Sequence, residues 1–208
     1  LKLQLWRFQE TGSGIPMFKL TQSLAVFFFC CQLPSMATEI GSDAPSWRYL
    51  QGADGKLHSA IDYKDSDVIV VAFLCNKCPC VKGYEARFNR FVDEFGGRGV
   101  KFVGINSSIG ELENLDTMKQ RAAAGKLKFD YLRDGTQKVA RGFAATSTPH
   151  VFILDKQRKV VYSGAFDDNR SEDLVKQHFV IDGVNAMLNG EPVPVAKTQQ
   201  FGCTITYR

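Results

Sequence analysis

Three cysteines fall within six residues, Cys75-Asn76-Lys77-Cys78-Pro79-Cys80, and a further one, Cys203, stands near the end of the chain. A bridge between neighbours this close would remove little entropy from the unfolded chain, so the plain reading of ordinary structural disulfides leaves the clustering unexplained. The same residue types suit thiol–disulfide exchange, in which a thiolate attacks a disulfide sulfur and a second cysteine releases the mixed disulfide. Cys78 is the expected nucleophile. It precedes Pro79, which suits the first position of a helix, where a missing N–H costs nothing. Free N–H groups and the positive end of the helix dipole would then stabilise its thiolate. The partner stays open: Cys75 first, Cys203 next if the tail folds back, and Cys80 last because a bridge over one residue would be strained.

The flanking sequence explains how such a sulfur would be held. Val68 to Leu74 is continuously apolar and rich in β-branched residues, the pattern of a strand buried on both faces. After Pro79, apolar Val81, Tyr84, Phe88, Phe91, Val92 and Phe95 recur at helical spacing and give one core-facing stripe. Gly96-Gly97 ends that helix, and Val100 to Ile105 predicts a second buried strand, which makes a parallel pair with a right-handed crossover.

The 208 residues suffice for one domain with a full core. The formal net charge is +4, and no basic cluster interleaves with aromatics, which gives nucleic-acid binding no footing. Residues 1–37 read as an upstream extension and signal peptide. Met17-Phe18-Lys19 is a short positive stretch, Leu24 to Cys31 an apolar one, and Ser35-Met36-Ala37 a small-x-small cleavage site. The apolar run is too short to span a bilayer comfortably, so membrane contact is expected only through this segment if it is not cleaved. Cys30 and Cys31 would leave with it. The reading places the protein outside the cytoplasm, periplasmic or secreted, where disulfides persist.

Residues 38–190 are expected to form the domain. Trp47 to Leu57 reads as a hairpin turning at Ala53-Asp54-Gly55. Leu112 to Gly125 reads as a helix, Phe129 to Leu132 as a short extended piece, and Val139 to Phe143 as a short helix. His150 to Asp155 and Lys159 to Ser163 read as an antiparallel hairpin. Ser171 to Asn189 reads as a final helix capped at Ser171. Residues 191–208 are a tail carrying Cys203. The loop Asp167-Asp168-Asn169-Arg170 reads as solvated rather than as a cation site.

This order resembles the thioredoxin-like fold, an α/β fold with a central mixed sheet flanked by helices, and within it the redoxin or peroxiredoxin-like, AhpC/TSA-related group. The resemblance rests on Asp43-Ala44-Pro45 with Asp54-Gly55, on Phe73 to Pro79, on Thr148-Pro149 ahead of Val151 to Asp155, and on Tyr162 to Asp168. Phe201-Gly202-Cys203-Thr204-Ile205 is similar to the ending of some secreted redoxin-like proteins. The resemblance implies that Cys78 stands where thioredoxins carry their attacking cysteine, with Val81 in place of their second one. It implies a cis Pro149 against the cysteines and a Thr148 backbone that receives an extended substrate. No organic cofactor is implied. Partners would be protein thiols and disulfides, with a dithiol protein as electron donor. Peroxiredoxins carry Pro seven residues and Thr or Ser three residues before their reactive cysteine. Those places hold Val71 and Cys75 before Cys78, and Phe73 and Lys77 before Cys80, which argues against direct peroxide reduction. An alternative is a copper metallochaperone, binding Cu(I) through Cys75, Cys78 or Cys80 together with His150.

Overall fold

A computed structural model describes residues 38–208, so the expected signal segment, with Cys30 and Cys31, lies outside the described residues. In chain order the elements are β1 (Leu50–Gly52), β2 (Leu57–His58), β3 (Val68–Leu74), α1 (Pro79–Phe95), β4 (Val100–Asn106), α2 (Leu115–Ala124), β5 (Asp130–Arg133), α3 (Lys138–Gly142), β6 (Ser147–Thr148), β7 (His150–Leu154), β8 (Val160–Gly164), α4 (Phe179–Leu188) and β9 (Cys203–Thr204). Among the described residues no helix is long and apolar enough to cross a membrane.

The main sheet has the order β2-β1-β5-β4-β3-β7-β8. β3 runs parallel to β4, from Val68 opposite Val100 to Leu74 opposite Asn106, and antiparallel to β7. Every residue of β3 is buried, as its unbroken apolar run requires of a strand covered on both faces. Val70, Ala72 and Leu74 join the core under α1, α2 and α4, while Ile69, Val71 and Phe73 join the one under α3. The expected α/β thioredoxin-like architecture is thus the observed one. The α1 stripe is buried at Val81, Tyr84, Phe88, Phe91 and Phe95, which anchors the amino end of α1 directly after the tip of β3.

Three local expectations need correction. The final helix starts at Phe179 rather than Ser171, and only Glu172–Leu174 forms a short 3-10 turn before it. The intervening backbone is bonded elsewhere: Lys176 N donates to Asp168 Oδ1 at 2.9 Å, and Asp168 N donates to the Gln177 carbonyl at 3.1 Å. α2 starts at Leu115, where the Asn114 side chain caps it by accepting from Thr117 N, and Leu112 lies outside it, exposed. Asp167 does not belong to a solvated loop. It is 1 % exposed, receives Arg87 at 2.6 Å and the Tyr84 hydroxyl at 2.8 Å, and ties this loop to α1.

The tail folds back. Lys197 bridges to Ser163, Ile205 is buried in the α3-side core, and β9 pairs antiparallel with β6, Cys203 opposite Thr148.

Candidate active site

Cys78 is the N-cap of α1, with extended backbone (φ −72°, ψ 116°) and Pro79 at the first helical position. Cys75 sits just past the end of β3 and Cys80 in the first turn of α1, so strand and helix together fix all three sulfurs. The Thr148–Pro149 peptide is cis and lies beside them. Cys75 Sγ is 3.0 Å from Thr148 Oγ1, and Cys78 Sγ, as a thiol, donates to the Thr148 carbonyl at 3.3 Å. The sulfurs of Cys78, Cys80 and Cys203 all lie within 4.8 Å of one another. The four cysteines among the described residues form no disulfide; Cys75, Cys78 and Cys80 are buried, and Cys203 is half-buried.

Only one of these sulfurs is disposed to ionise. Cys75 donates a hydrogen bond to Cys78, and this, with further hydrogen bonds from Cys203, the Val81 N–H and Thr148, holds the Cys78 thiol far below its ordinary range despite burial. Donation to Cys78, added to burial, pushes Cys75 up in return. Burial and the neighbouring Cys78 charge raise Cys80, and burial with hydrogen bonding to Cys78 pushes Cys203 up to about 12. The contacts that converge on Cys78 favour its ionised form over that of its neighbours, and the helix N-terminus acts in the same direction.

The tail completes the enclosure. Its backbone runs so close to Thr148 that a Cβ at Gly202 would meet the Thr148 carbonyl carbon at 2.7 Å. The Thr148 hydroxyl donates to the Cys203 carbonyl at 3.4 Å, and Ile205 N donates to the Thr146 carbonyl at 2.9 Å. The backbone beside Pro149 is therefore already covered by a strand of the same chain.

His150 is not part of this group. It follows Pro149 into β7, where its side chain turns to the other side: Nε2 meets Ser163 Oγ at 3.0 Å, and Nδ1 accepts from Thr146 N at 3.3 Å. Both ring nitrogens are engaged, and desolvation lowers its pKa to about 4. The metal-ligand set that includes His150 is therefore corrected: the ring is held away from the sulfurs, and Cys203 stands where that reading needed an imidazole.

One supporting residue escapes pattern reading. Glu113 is 4 % exposed and accepts from Asn76 N at 2.8 Å, Lys77 N at 3.1 Å and Asn106 Nδ2 at 2.8 Å. Its carboxylate satisfies both amides between Cys75 and Cys78, of which that of buried Asn76 would otherwise lack a partner. Tyr131 and Arg121 hold Asn76 from the far side, at its side-chain oxygen and its carbonyl. Nothing in Gly110-Glu111-Leu112-Glu113 announces this role, since the contact spans 37 residues of chain.

The AhpC/TSA family model matches residues 40–163. No curated protein matches the sequence. Among solved structures, a hypothetical protein, SMc02350, from Sinorhizobium meliloti 1021 is 31 % identical, with 82 % of this chain and 95 % of that one covered and a TM-score of 0.76. An uncharacterized conserved protein from Geobacillus kaustophilus is 32 % identical, with 82 % and 93 % covered and a TM-score of 0.77. The thioredoxin domain of a thiol-disulfide oxidoreductase, BVU-2223, from Bacteroides vulgatus shares the fold at 19 % identity, with 65 % and 92 % covered and a TM-score of 0.53.

Proposed function

The chain belongs to the AhpC/TSA family, and from that premise we propose that it is a thiol–disulfide oxidoreductase in which Cys78 is the nucleophile and Cys203 resolves the mixed disulfide. The observation that carries this reading is the convergence of Cys203, from the opposite end of the chain, on the single sulfur disposed to be a thiolate. The Cys78 thiolate attacks a substrate disulfide, one new S–S bond forms, and the first substrate thiolate leaves and takes a proton. Cys203 then attacks the Cys78 sulfur. The second substrate thiol departs, a Cys78–Cys203 disulfide remains, and two electrons have passed to the substrate. A dithiol protein restores the reduced form.

Cys75 is assigned a different part. Its thiol, next to Cys78, favours the Cys78 thiolate, while its own sulfur is engaged with Thr148 Oγ1 at 3.0 Å. Cys203, on a two-residue strand at the surface of the domain, is the sulfur that solvent reaches. Thr148 and Pro149 form the wall against which an extended substrate lies once β9 has lifted. The apolar run and cleavage pattern of residues 17–37 support an exported setting for this chemistry.

The test is a trap. Cys203→Ser protein, reacted with a disulfide substrate such as insulin, should accumulate the Cys78 mixed disulfide, while Cys75→Ser should still resolve it, more slowly. Accumulation in Cys75→Ser with normal turnover in Cys203→Ser would reverse the assignment.

A further inference from the structure

We propose that the reduced chain binds one Cu(I) ion in a three-sulfur site made by Cys78, Cys80 and Cys203. The three sulfurs come from two segments more than a hundred residues apart, yet lie within 4.8 Å of one another. A metal about 2.3 Å from each of three sulfurs in their plane needs them about 4 Å apart, so the observed spacing asks for little adjustment. Thiolates select soft cations, Cu(I) and Zn(II) foremost among the biological ones. A closed Zn(II) site wants four ligands, and among the described residues no histidine or carboxylate joins this group. His150 has both nitrogens engaged, and the Cys75 sulfur is turned to Thr148 Oγ1. Three sulfurs without a fourth donor match a low-coordinate d10 monovalent ion.

The surroundings fit an anionic site. The amino end of α1, where Cys78 caps the helix and Cys80 lies in its first turn, offsets negative charge on the bound sulfurs. Binding involves no electron transfer: Cu(I) forms three Cu–S bonds, and the thiol protons it displaces are released to solvent. A Cys78–Cys203 disulfide removes two of the three ligands, so metal and disulfide exclude each other. The inference does not rest on the oxidoreductase reading, because it needs only the thiols.

The test is an anaerobic titration of the fully reduced full-length chain with Cu(I) against bicinchoninate, with X-ray absorption at the copper edge. The expected result is one ion per chain with three sulfur neighbours. Cys203→Ser should weaken binding by about 100-fold or more, since loss of even an outer-shell partner reaches that range, and leave two sulfurs. His150→Ala and a Cys30→Ser/Cys31→Ser variant should bind as the parent does. Absence of binding, binding indifferent to Cys203→Ser, or binding lost with His150 or with Cys30 and Cys31 would overturn the proposal. Mixed-disulfide trapping, read separately, reports on the oxidoreductase whichever way the titration falls.

Discussion

Thr148 and Cys203 face each other across a two-residue antiparallel ladder, so the backbone that precedes cis Pro149 is paired with the chain's own tail. The tail occupies this backbone edge and brings the Cys203 sulfur within 4.8 Å of that of Cys78. The fit depends on Gly202, whose missing side chain lets the two backbones approach.

Gly202→Ala should therefore lift β9. A Cβ there meets the Thr148 carbonyl, which is backbone and has no rotamer by which to yield. The variant should alkylate several-fold faster at Cys203, as read by mass spectrometry after iodoacetamide pulses, and should resolve the Cys78 mixed disulfide more slowly. The overall cost should be about 1–3 kcal/mol, the usual range for overpacking, measured by denaturant unfolding of the reduced protein. Unchanged alkylation would mean that the tail is not held at this point.

The hydrogen bond from Cys75 makes a second prediction, this time about pH. The Cys78 thiol is lowered chiefly by that donor, so Cys75→Ala should move the titration of Cys78 upward, toward the ordinary thiol range. Cys75→Ser keeps a donor and should hold it low. Thiolate absorbance near 240 nm, followed against pH in each variant, gives the midpoint directly. A lowered folded-state pKa stabilises the folded, reduced protein above the unfolded thiol's pKa, and that contribution is lost as pH falls through the folded value. The parent should accordingly lose this stabilisation over the acid side of the thiol range, and Cys75→Ala should lose most of the effect.

The strand, the helix and the cysteines between them are legible in the sequence because each rests on a local pattern: a β-branched run, a stripe at helical spacing, a proline after Cys78. What was not legible depends on contacts between distant segments. Glu113 reaches the amides of Asn76 and Lys77 from a loop whose own sequence shows only two acids around a leucine. Asp167, in a run of polar residues, looks solvated until Arg87 and Tyr84 are seen to close on it from α1. His150 follows Pro149 in sequence, yet strand alternation sends its ring away from the sulfurs toward Ser163. Ser171 carries a good capping side chain, but Asp168 binds the backbone that a longer helix would have used.

Glu113→Gln tests the clamp on the cysteine loop. The carboxylate accepts three hydrogen bonds, and an amide can present only one oxygen to them, turning a donor toward N–H groups. A buried, charge-assisted arrangement of this kind should lose about 2–4 kcal/mol on the change, read by urea unfolding of reduced protein. Hydrogen exchange should accelerate at Asn76 and Lys77 before it does so in β3. Equal protection in the two proteins would show that the loop holds itself.

His150 should make the protein acid-sensitive. Desolvation lowers its pKa from the ordinary 6.5 to about 4, so the folded state resists a proton that the unfolded chain accepts. Stability contributed by the neutral ring is complete above pH 6.5 and is lost as pH falls from there toward 4. The slope is at most about 1.4 kcal/mol per pH unit for one proton, so the full loss is about 3 kcal/mol. His150→Gln keeps a hydrogen-bonding side chain for Ser163 and Thr146 but does not titrate. Its unfolding free energy, measured in urea at several pH values between 4 and 7, should lack this component, while the parent's falls. Parallel curves for the two proteins would assign the acid sensitivity to other groups.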